Sequence, residues 1–132
     1  MKTIRVSAAV IHDHGMIYAT RRGRGEFKGG WEFPGGKREE GEDGEQTVVR
    51  EIREELGALV EVEKLLGTVE WQYPAFLLVM DCYLCHLVAG SLTLGEHDEA
   101  RWLSLEDIDS VGWLPADVLA VDLVRKHFAW KP

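Results

Sequence analysis

Residues 36–58 (GKREEGEDGEQTVVREIREELGA) constrain the fold most, because their acidic and apolar side chains recur at helical spacing. Each helical residue advances about 100°, so Glu51, Glu54 and Glu55 fall within one narrow arc. A neighbouring stripe is apolar and consists of Val48, Val49, Ile52 and Leu56. The pattern predicts a helix over residues 45–56, stopped by the next glycine, that packs its apolar stripe on a sheet and turns its acidic arc to a cleft.

Either a solvated surface or a cation site can account for this acidic arc. Like charges three or four residues apart on a helix cost about 0.2–0.5 kcal/mol each. Arg50 lies four residues before Glu54, whereas Glu51 and Glu55 have no opposite charge at helical spacing. Carboxylates are ligands that Mg²⁺ prefers, with waters and substrate phosphates completing its octahedron. The spacing alone leaves both readings open.

Composition and charge limit the class of protein. The 132 residues suffice for one domain, expected to span residues 1–132. The net charge of −8 argues against binding a nucleic-acid duplex, because such binding needs Lys and Arg to neutralise phosphates. No apolar stretch approaches the ~20 residues that cross a bilayer, and the start lacks a signal-peptide pattern, so we expect a cytoplasmic protein without membrane contact. Cys82 and Cys85 should face opposite sides of a strand as reduced structural thiols.

Strand-like and helix-like patterns alternate irregularly along the chain. The predicted strands cover residues 4–11, 16–20, 31–33, 59–71, 76–88 and 100–103. The predicted helices cover residues 45–56 and 115–128, with a helical turn at 105–108. Residues 21–30 form a glycine-rich loop, and Pro34-Gly35-Gly36 ends the third strand. This order predicts one mixed sheet covered by helices.

The helical segment resembles the Nudix box, G-x5-E-x7-R-E-U-x-E-E-x-G-U, in which U is a bulky apolar residue. Matches at the required intervals are Gly36, Glu42, Arg50, Glu51, Ile52, Glu54, Glu55 and Gly57. The one departure is Ala58, which is smaller than usual and bears on packing rather than on metal binding. Residues 31–37 (WEFPGGK) look like the MutT branch, and the similarity extends over essentially the whole chain. The resemblance implies an α/β fold, an α/β/α sandwich around a mixed β-sheet, and attack by water on a phosphorus of a nucleoside diphosphate linked to another group.

The resemblance also implies a metal and catalytic site. Its expected metal-binding residues are Gly36, Glu51, Glu54, Glu55 and Glu96. The expected ion is Mg²⁺, for which Mn²⁺ can substitute, and one carboxylate orients or deprotonates the attacking water. Glu96, in the loop at residues 95–98, is a candidate ligand or base, although such a loop glutamate by itself usually faces solvent. Arg50 is expected to orient the glutamates, and Glu42 to close the preceding loop rather than bind metal.

Substrate contacts are expected from residues outside the helix as well. The candidates are Arg22, Phe33, Lys37, Tyr73 and Asp117. Arg22 either binds the triphosphate or is a surface arginine, and Lys37 either meets phosphate or is a solvated charge. Phe33 and Tyr73 either line a base pocket or pack in the core. Asp117 either reads the edge of the base or caps the last helix.

The expected activity is Mg²⁺-dependent hydrolysis of a nucleoside triphosphate to the monophosphate and pyrophosphate, in nucleotide-pool sanitation, by a monomer or homodimer. An ionised Asp117 can only accept hydrogen bonds, which suits the N4 amino group of cytosine, although guanine also offers donors. The segments around Glu96 and Asp117 resemble the CTP pyrophosphohydrolase branch more than MutT proper, so CTP, dCTP or a 5-modified dCTP is preferred to 8-oxo-dGTP. Hydrolysis of nucleotide sugars or dinucleoside polyphosphates and a catalytically silent nucleotide-binding module are the alternatives.

Overall fold

Seven strands and two helices make up residues 2–129, the part of the chain that the computed structural model describes. The strands are β1 (Lys2–Asp13), β2 (Met16–Arg22), β3 (Trp31–Glu32), β4 (Gly35–Lys37), β5 (Ala58–Gln72), β6 (Phe76–Gly90) and β7 (His97–Ser104). The helices are α1 (Gly44–Leu56) and α2 (Pro115–Ala129), and a 3₁₀ turn at Ile108–Ser110 replaces the turn expected at 105–108. Across residues 2–129, neither helix combines the length and apolarity needed to cross a bilayer.

The strands form one mixed sheet in the order β3-β2-β1-β6-β5, with β4 also paired to β1 and β7 also paired to β2. β1 and β6 run parallel, and the other pairs are antiparallel. Helix α2 packs on one face and α1 on the other, each over its own apolar core. This arrangement confirms the α/β/α sandwich around a mixed sheet.

The central strand β1 supplies side chains to both cores, because successive residues of a strand point to opposite faces. Ala8 and Val10 pack on the α2 side, whereas Ala9 and Ile11 pack on the α1 side. A continuous apolar run is what a strand covered on both faces requires.

The two cysteines of β6 follow the same alternation. Cys82 lies in the core under α2 and Cys85 in the core under α1. Both are free, buried thiols, and burial raises the pKa of each to about 12. The expectation of two reduced, structural thiols on opposite faces is confirmed.

Helix α1 begins one residue before its predicted start and ends at its predicted stop. Asp43 caps it by accepting from the backbone N–H of Gln46, and the Gln46 side chain accepts from the Asp43 backbone in return. Gly57 ends it at φ 68°, a left-handed conformation that glycine adopts without steric cost. Val48, Ile52 and Leu56 of the apolar stripe are fully buried and Val49 is partly buried, so this stripe anchors the helix on the sheet.

The segment after Pro34 differs from the expected turn. Gly35–Lys37 is strand β4, paired antiparallel with Val6–Ala8 of β1. A Cβ at Gly35 would lie 2.0 Å from the carbonyl oxygen of Ser7, so only glycine allows the two backbones to approach this closely. The glycine pair therefore serves close strand pairing rather than a reversal of the chain.

The last strand also begins earlier than expected. Residues 95–98 are predicted as a loop, but β7 starts at His97. Arg21 pairs with Glu99 and Arg22 with His97, so Asp98 is the extra residue of a bulge in β7. This bulge places Arg22 and His97 at the edge of the cavity described below, as bulges beside functional sites often do.

Candidate active site

Arg50 organises the acidic side of helix α1. Its guanidinium donates to Glu42 (Nε to Oε2, 2.6 Å), Glu51 (Nη1 to Oε1, 2.8 Å) and Glu54 (Nη1 to Oε2, 3.2 Å). It also donates to the backbone carbonyl of Lys37 at 3.1 Å. These bonds, foremost those to Glu42, raise the arginine's pKa. Helical spacing offers Glu51 no opposite charge, but the guanidinium of the adjacent Arg50 reaches it, which agrees with the expected orienting role of this arginine.

Glu42 closes the loop before the helix. It accepts from Arg50, from the backbone N–H of Glu39 at 3.0 Å and from the hydroxyl of Thr47 at 2.9 Å. The bond with the arginine is the main reason that its pKa falls to about 2. These contacts match the expected loop-closing role.

Gly36 and Glu51 lie in direct contact where β4 meets α1. A Cβ at Gly36 would fall 2.3 Å from the carboxyl carbon of Glu51. The carboxylate therefore rests against bare backbone, in a space that any other residue would fill. Glycine at this position keeps a peptide group and a carboxylate side by side.

Within the acidic arc, Glu55 is the residue whose pKa is shifted by burial and by neighbouring negative charge. Its half-buried carboxyl has a pKa raised to about 8, first by burial, then by a hydrogen bond and negative charge from Glu51, and further by Glu32 and Glu96. A divalent cation would relieve this concentration of negative charge, and the oxygen-only donor set suits a hard ion such as Mg²⁺. The residues present thus fit a cation of that class.

Glu54 and Glu96 stand apart from this close pair. The Glu54 side chain is 57% exposed and bonded to Arg50, while Glu96 is 70% exposed and bonded to Arg24 at 2.7 Å. Among residues 2–129, no three His, Cys, Asp or Glu side chains converge as a formed metal site. The structure brings Glu51 and Glu55 together, places Glu96 in the lining of the same cavity as Glu55, and leaves Glu54 outside that lining.

A cavity of about 400 Å³ extends from this acidic cluster across the sheet, within the range of roughly 300–1,000 Å³ typical of ligand pockets. Its apolar wall comes from Ile4, Val6, Ala8, Phe76, Leu78, Met80 and Leu114. Its polar lining includes Arg22, Lys37, Glu55, Glu96 and Asp117. Lys37 is exposed at this edge, as a phosphate contact or a solvated charge would be. The cavity therefore joins an apolar compartment to a charged one.

The two aromatic residues expected in the pocket, Phe33 and Tyr73, differ in how much they contribute to it. Phe33 is 3% exposed and stacks on Trp113 at 4.6 Å between ring centroids, so it is mainly a core residue that borders the cavity. Tyr73 contacts Phe27 at 5.1 Å and Phe76 at 5.0 Å, and all three line the cavity. Phe27 was missed because glycines and charges dominate its loop and hide one aromatic residue.

Asp117 lies at the buried wall of the cavity, with the residue 5% exposed. Its Oδ1 accepts from the backbone N–H of Phe33 at 3.0 Å. Burial is the main cause that raises its pKa to about 8. This shift runs against the assumption of an ionised carboxyl, because desolvation favours the neutral acid.

Two further polar residues line the cavity and escaped the sequence analysis. Glu32 accepts from Arg22 (Nε to Oε1, 3.0 Å), and its second oxygen lies 3.1 Å from Nε2 of His97. Glu32 could have been found from its position between the aromatic residues Trp31 and Phe33, because a charged residue is rarely buried without a partner. No spacing rule pointed to His97.

These features define a class of site: an apolar compartment beside cationic side chains and a carboxylate cluster suited to a divalent ion. The chain matches the NUDIX domain over residues 1–122 and belongs to the Nudix family. It is a MutT-like hydrolase that acts on the acid anhydride of nucleotide substrates, and Nudix hydrolases generally require a divalent metal.

Individual relatives span nearly the whole chain. The CTP pyrophosphohydrolase of Escherichia coli is 34% identical over 133 residues, covering 100% of this chain and 98% of that protein. The 8-oxo-dGTP diphosphatase of Haemophilus influenzae is 33% identical over 118 residues, covering 88% of this chain and 87% of that protein. The solution structure of the E. coli ORF135 protein superposes with a TM-score of 0.86 at 31% identity, covering 100% of this chain and 95% of that one.

Proposed function

We propose that this protein uses Mg²⁺ to catalyse the reaction of a nucleoside triphosphate with water, which yields a nucleoside monophosphate and pyrophosphate. The observation that carries the proposal is the continuity of one cavity from buried Asp117 to the half-buried Glu55. A base fits the apolar compartment while the phosphates reach the carboxylate cluster. Both parts of a nucleotide are thereby accommodated in one cavity.

The residues divide into roles by their chemistry. Glu51 and Glu55, with Glu54 and Glu96 turned inward, would hold Mg²⁺, as would the backbone of Gly36. The ion supplies neutralisation of phosphate oxygens and a more acidic water. Arg50 keeps Glu51 in position, because one guanidinium group bonds it to the helix and to the preceding loop.

Phosphate binding falls to the cations at the cavity edge. Arg22 and Lys37 both line the cavity, as does Glu55, and the phosphates of a bound nucleotide would lie against these two cations. Arg22 presents a planar fork of donors suited to phosphate oxygens, and Lys37 a compact point charge. Tyr73 and Phe27 offer an aromatic wall to the base.

The neutral acid of Asp117 bears on the choice of base. It can donate one hydrogen bond and accept others, which matches the adjacent N3 acceptor and N4 amino donor of cytosine. An ionised carboxylate would suit the paired donors of guanine, N1–H and N2–H₂. We therefore favour CTP, dCTP or a 5-modified dCTP, in line with the full-length similarity to a CTP pyrophosphohydrolase.

A second candidate substrate is 8-oxo-dGTP. Guanine also carries an adjacent acceptor and donor, O6 and N1–H, which a neutral acid can bind. The 33% identity to an 8-oxo-dGTP diphosphatase supports this candidate at nearly the same level. Either substrate agrees with a role in nucleotide-pool sanitation.

A hydrolysis screen tests the proposal. Natural and modified nucleoside triphosphates, nucleotide sugars and dinucleoside polyphosphates are incubated with protein and Mg²⁺, and the products are separated by ion-exchange chromatography. We expect CMP and pyrophosphate from CTP at the highest kcat/KM. Orthophosphate as the first product, turnover of nucleotide sugars alone, or no turnover of any nucleotide would each contradict the proposal.

A further inference from the structure

Arg22, Glu32 and His97 form a hydrogen-bonded chain across three strands at the edge of the cavity. Arg22 ends β2, Glu32 ends β3 and His97 begins β7. The Glu32 carboxylate uses one oxygen for Nε of the arginine at 3.0 Å and the other for Nε2 of the histidine at 3.1 Å. One carboxylate therefore fixes side chains from both neighbouring strands.

The histidine is anchored through this bond. Its side chain is 6% exposed, and in the described part of the chain its Nδ1 is buried without a hydrogen-bond partner. Because a carboxylate can only accept, the proton lies on Nε2 and is donated to Glu32. This hydrogen bond therefore fixes the orientation of the His97 ring and also the orientation of the Glu32 carboxylate.

The bond to Nε fixes the plane of the Arg22 guanidinium but leaves its other donors available. An arginine carries five N–H donors in a planar fork, and Nε provides one of them. Within residues 2–129, neither Nη group of Arg22 donates to another side chain or to backbone, and this residue lines the cavity. Four donors therefore remain for the oxygens of a ligand.

We propose that Glu32 and His97 are positioning residues that hold Arg22 in place for the terminal phosphates of the substrate. This inference rests on the proposed function, because it takes the triphosphate as the ligand of Arg22. Neither residue touches the reacting atoms. They reduce the loss of side-chain freedom that a long arginine would otherwise incur when it binds phosphate.

A second arginine–carboxylate pair on the same two strands provides the matched control. Arg21 donates to Asp98 at 2.7 Å across β2 and β7, and both side chains lie outside the lining of the cavity. Asp98→Asn weakens this pair without altering the chain of bonds through Glu32. A purely structural role for strand cross-links predicts the same result for both pairs.

The test compares His97→Leu, His97→Gln and Asp98→Asn by steady-state kinetics with CTP and CDP. We expect His97→Leu to raise KM for CTP by about tenfold while kcat changes by less than about threefold, because the contact serves binding in ground and transition states alike. KM for CDP, which lacks the terminal phosphate, should change less. His97→Gln should restore most of the affinity, because its amide N–H₂ can replace Nε2–H. Calorimetric titration with the α,β-methylene analogue of CTP should show the same order of affinities without turnover.

Each result has a separate meaning. Equal KM values for His97→Leu, Asp98→Asn and the unaltered protein overturn the positioning role, as does a loss in kcat alone. Absence of rescue by His97→Gln overturns it as well. If His97→Leu fails to fold, Glu32→Gln decides, and an unchanged KM for CTP rejects the inference. Inactivity of the unaltered protein toward every nucleoside triphosphate overturns the proposed function instead.

Discussion

The carboxyl group of Asp117 illustrates how surroundings change what one side chain recognises. Glu32 nearby adds to the effect of burial in raising its pKa, while Arg22 and the Phe33 N–H oppose them. The balance, a pKa of about 8, leaves a neutral acid at pH 7. A residue that its sequence identifies only as an acid therefore resembles an amide in its hydrogen bonding.

This protonation state predicts a pH dependence of substrate choice. As pH rises through about 8, Asp117 loses the proton that it donates to N3 of cytosine, whereas Asp117→Asn keeps a donor at every pH. The ratio of kcat/KM for CTP between the unaltered protein and the variant should fall about tenfold from pH 7 to pH 9.

Taking the ratio cancels pH effects that both proteins share, such as those of Glu55 and of the substrate. The measurement is a pair of pH–rate profiles with CTP and, for comparison, GTP. A ratio that stays constant from pH 7 to 9 would show that the carboxyl does not donate to the base.

Gly36 is the second residue whose role can be isolated. A methyl group there would strike the Glu51 carboxylate at 2.3 Å, and the flexible end of that side chain can move aside. Gly36→Ala should therefore unfold at nearly the same temperature, while kcat falls by about 10²-fold because the carboxylate is displaced. Gly112→Ala is the control, since a Cβ at Gly112 meets nothing within 4 Å. Unaltered kcat in Gly36→Ala would reject the importance of this contact.

At the level of elements, helix α1 and strand β4 act together. Arg50 donates both to the carboxylates of its own helix and to the Lys37 carbonyl of the strand, so the position of one element fixes the other. The helix was predictable because its period and its Gly57 stop agree. The strand was not, because a glycine pair favours a turn unless the neighbouring backbone is known.

The same element carries a prediction about the carboxylates. Glu54→Gln and Glu55→Gln should each lower kcat by at least about 10²-fold while the fold remains intact, since a metal-held charge acts chiefly in the transition state. Glu45→Gln, on the exposed first turn of the same helix, should leave kcat nearly unchanged. Full activity of either Glu54→Gln or Glu55→Gln would contradict the metal assignment.

For the whole molecule, the mixed sheet holds together parts that the sequence keeps far apart. The alternation of side chains along a strand was enough to predict that Cys82 and Cys85 of β6 lie on opposite faces of the sheet. Long-range contacts such as Arg22–Glu32–His97 were not predictable, because they depend on which strands become neighbours and on a bulge in β7. The lining of the cavity was unpredictable for the same reason, because its residues come from distant parts of the chain.

Metal dependence is a property of the assembled molecule. Removal of divalent ions by a chelator should abolish turnover, and Mg²⁺ or Mn²⁺ should restore it. A ligand that binds only the folded state also raises stability by mass action, so Tm should increase with Mg²⁺ concentration. Differential scanning calorimetry should show a smaller increase for Glu55→Gln. Persistent turnover in the presence of chelator would reject the requirement.

The residues of the two compartments of the cavity lie on different secondary-structure elements, which has a consequence for the evolution of the substrate preference. Asp117 comes from α2 and Tyr73 from the turn between β5 and β6, whereas Glu51 and Glu55 come from α1. Under the proposed roles, inherited changes in the first group would alter which base is accepted, while the second group would keep its chemistry. A lineage can thus diversify its substrates by single codon changes, and relatives with different named substrates can remain equally similar to this chain.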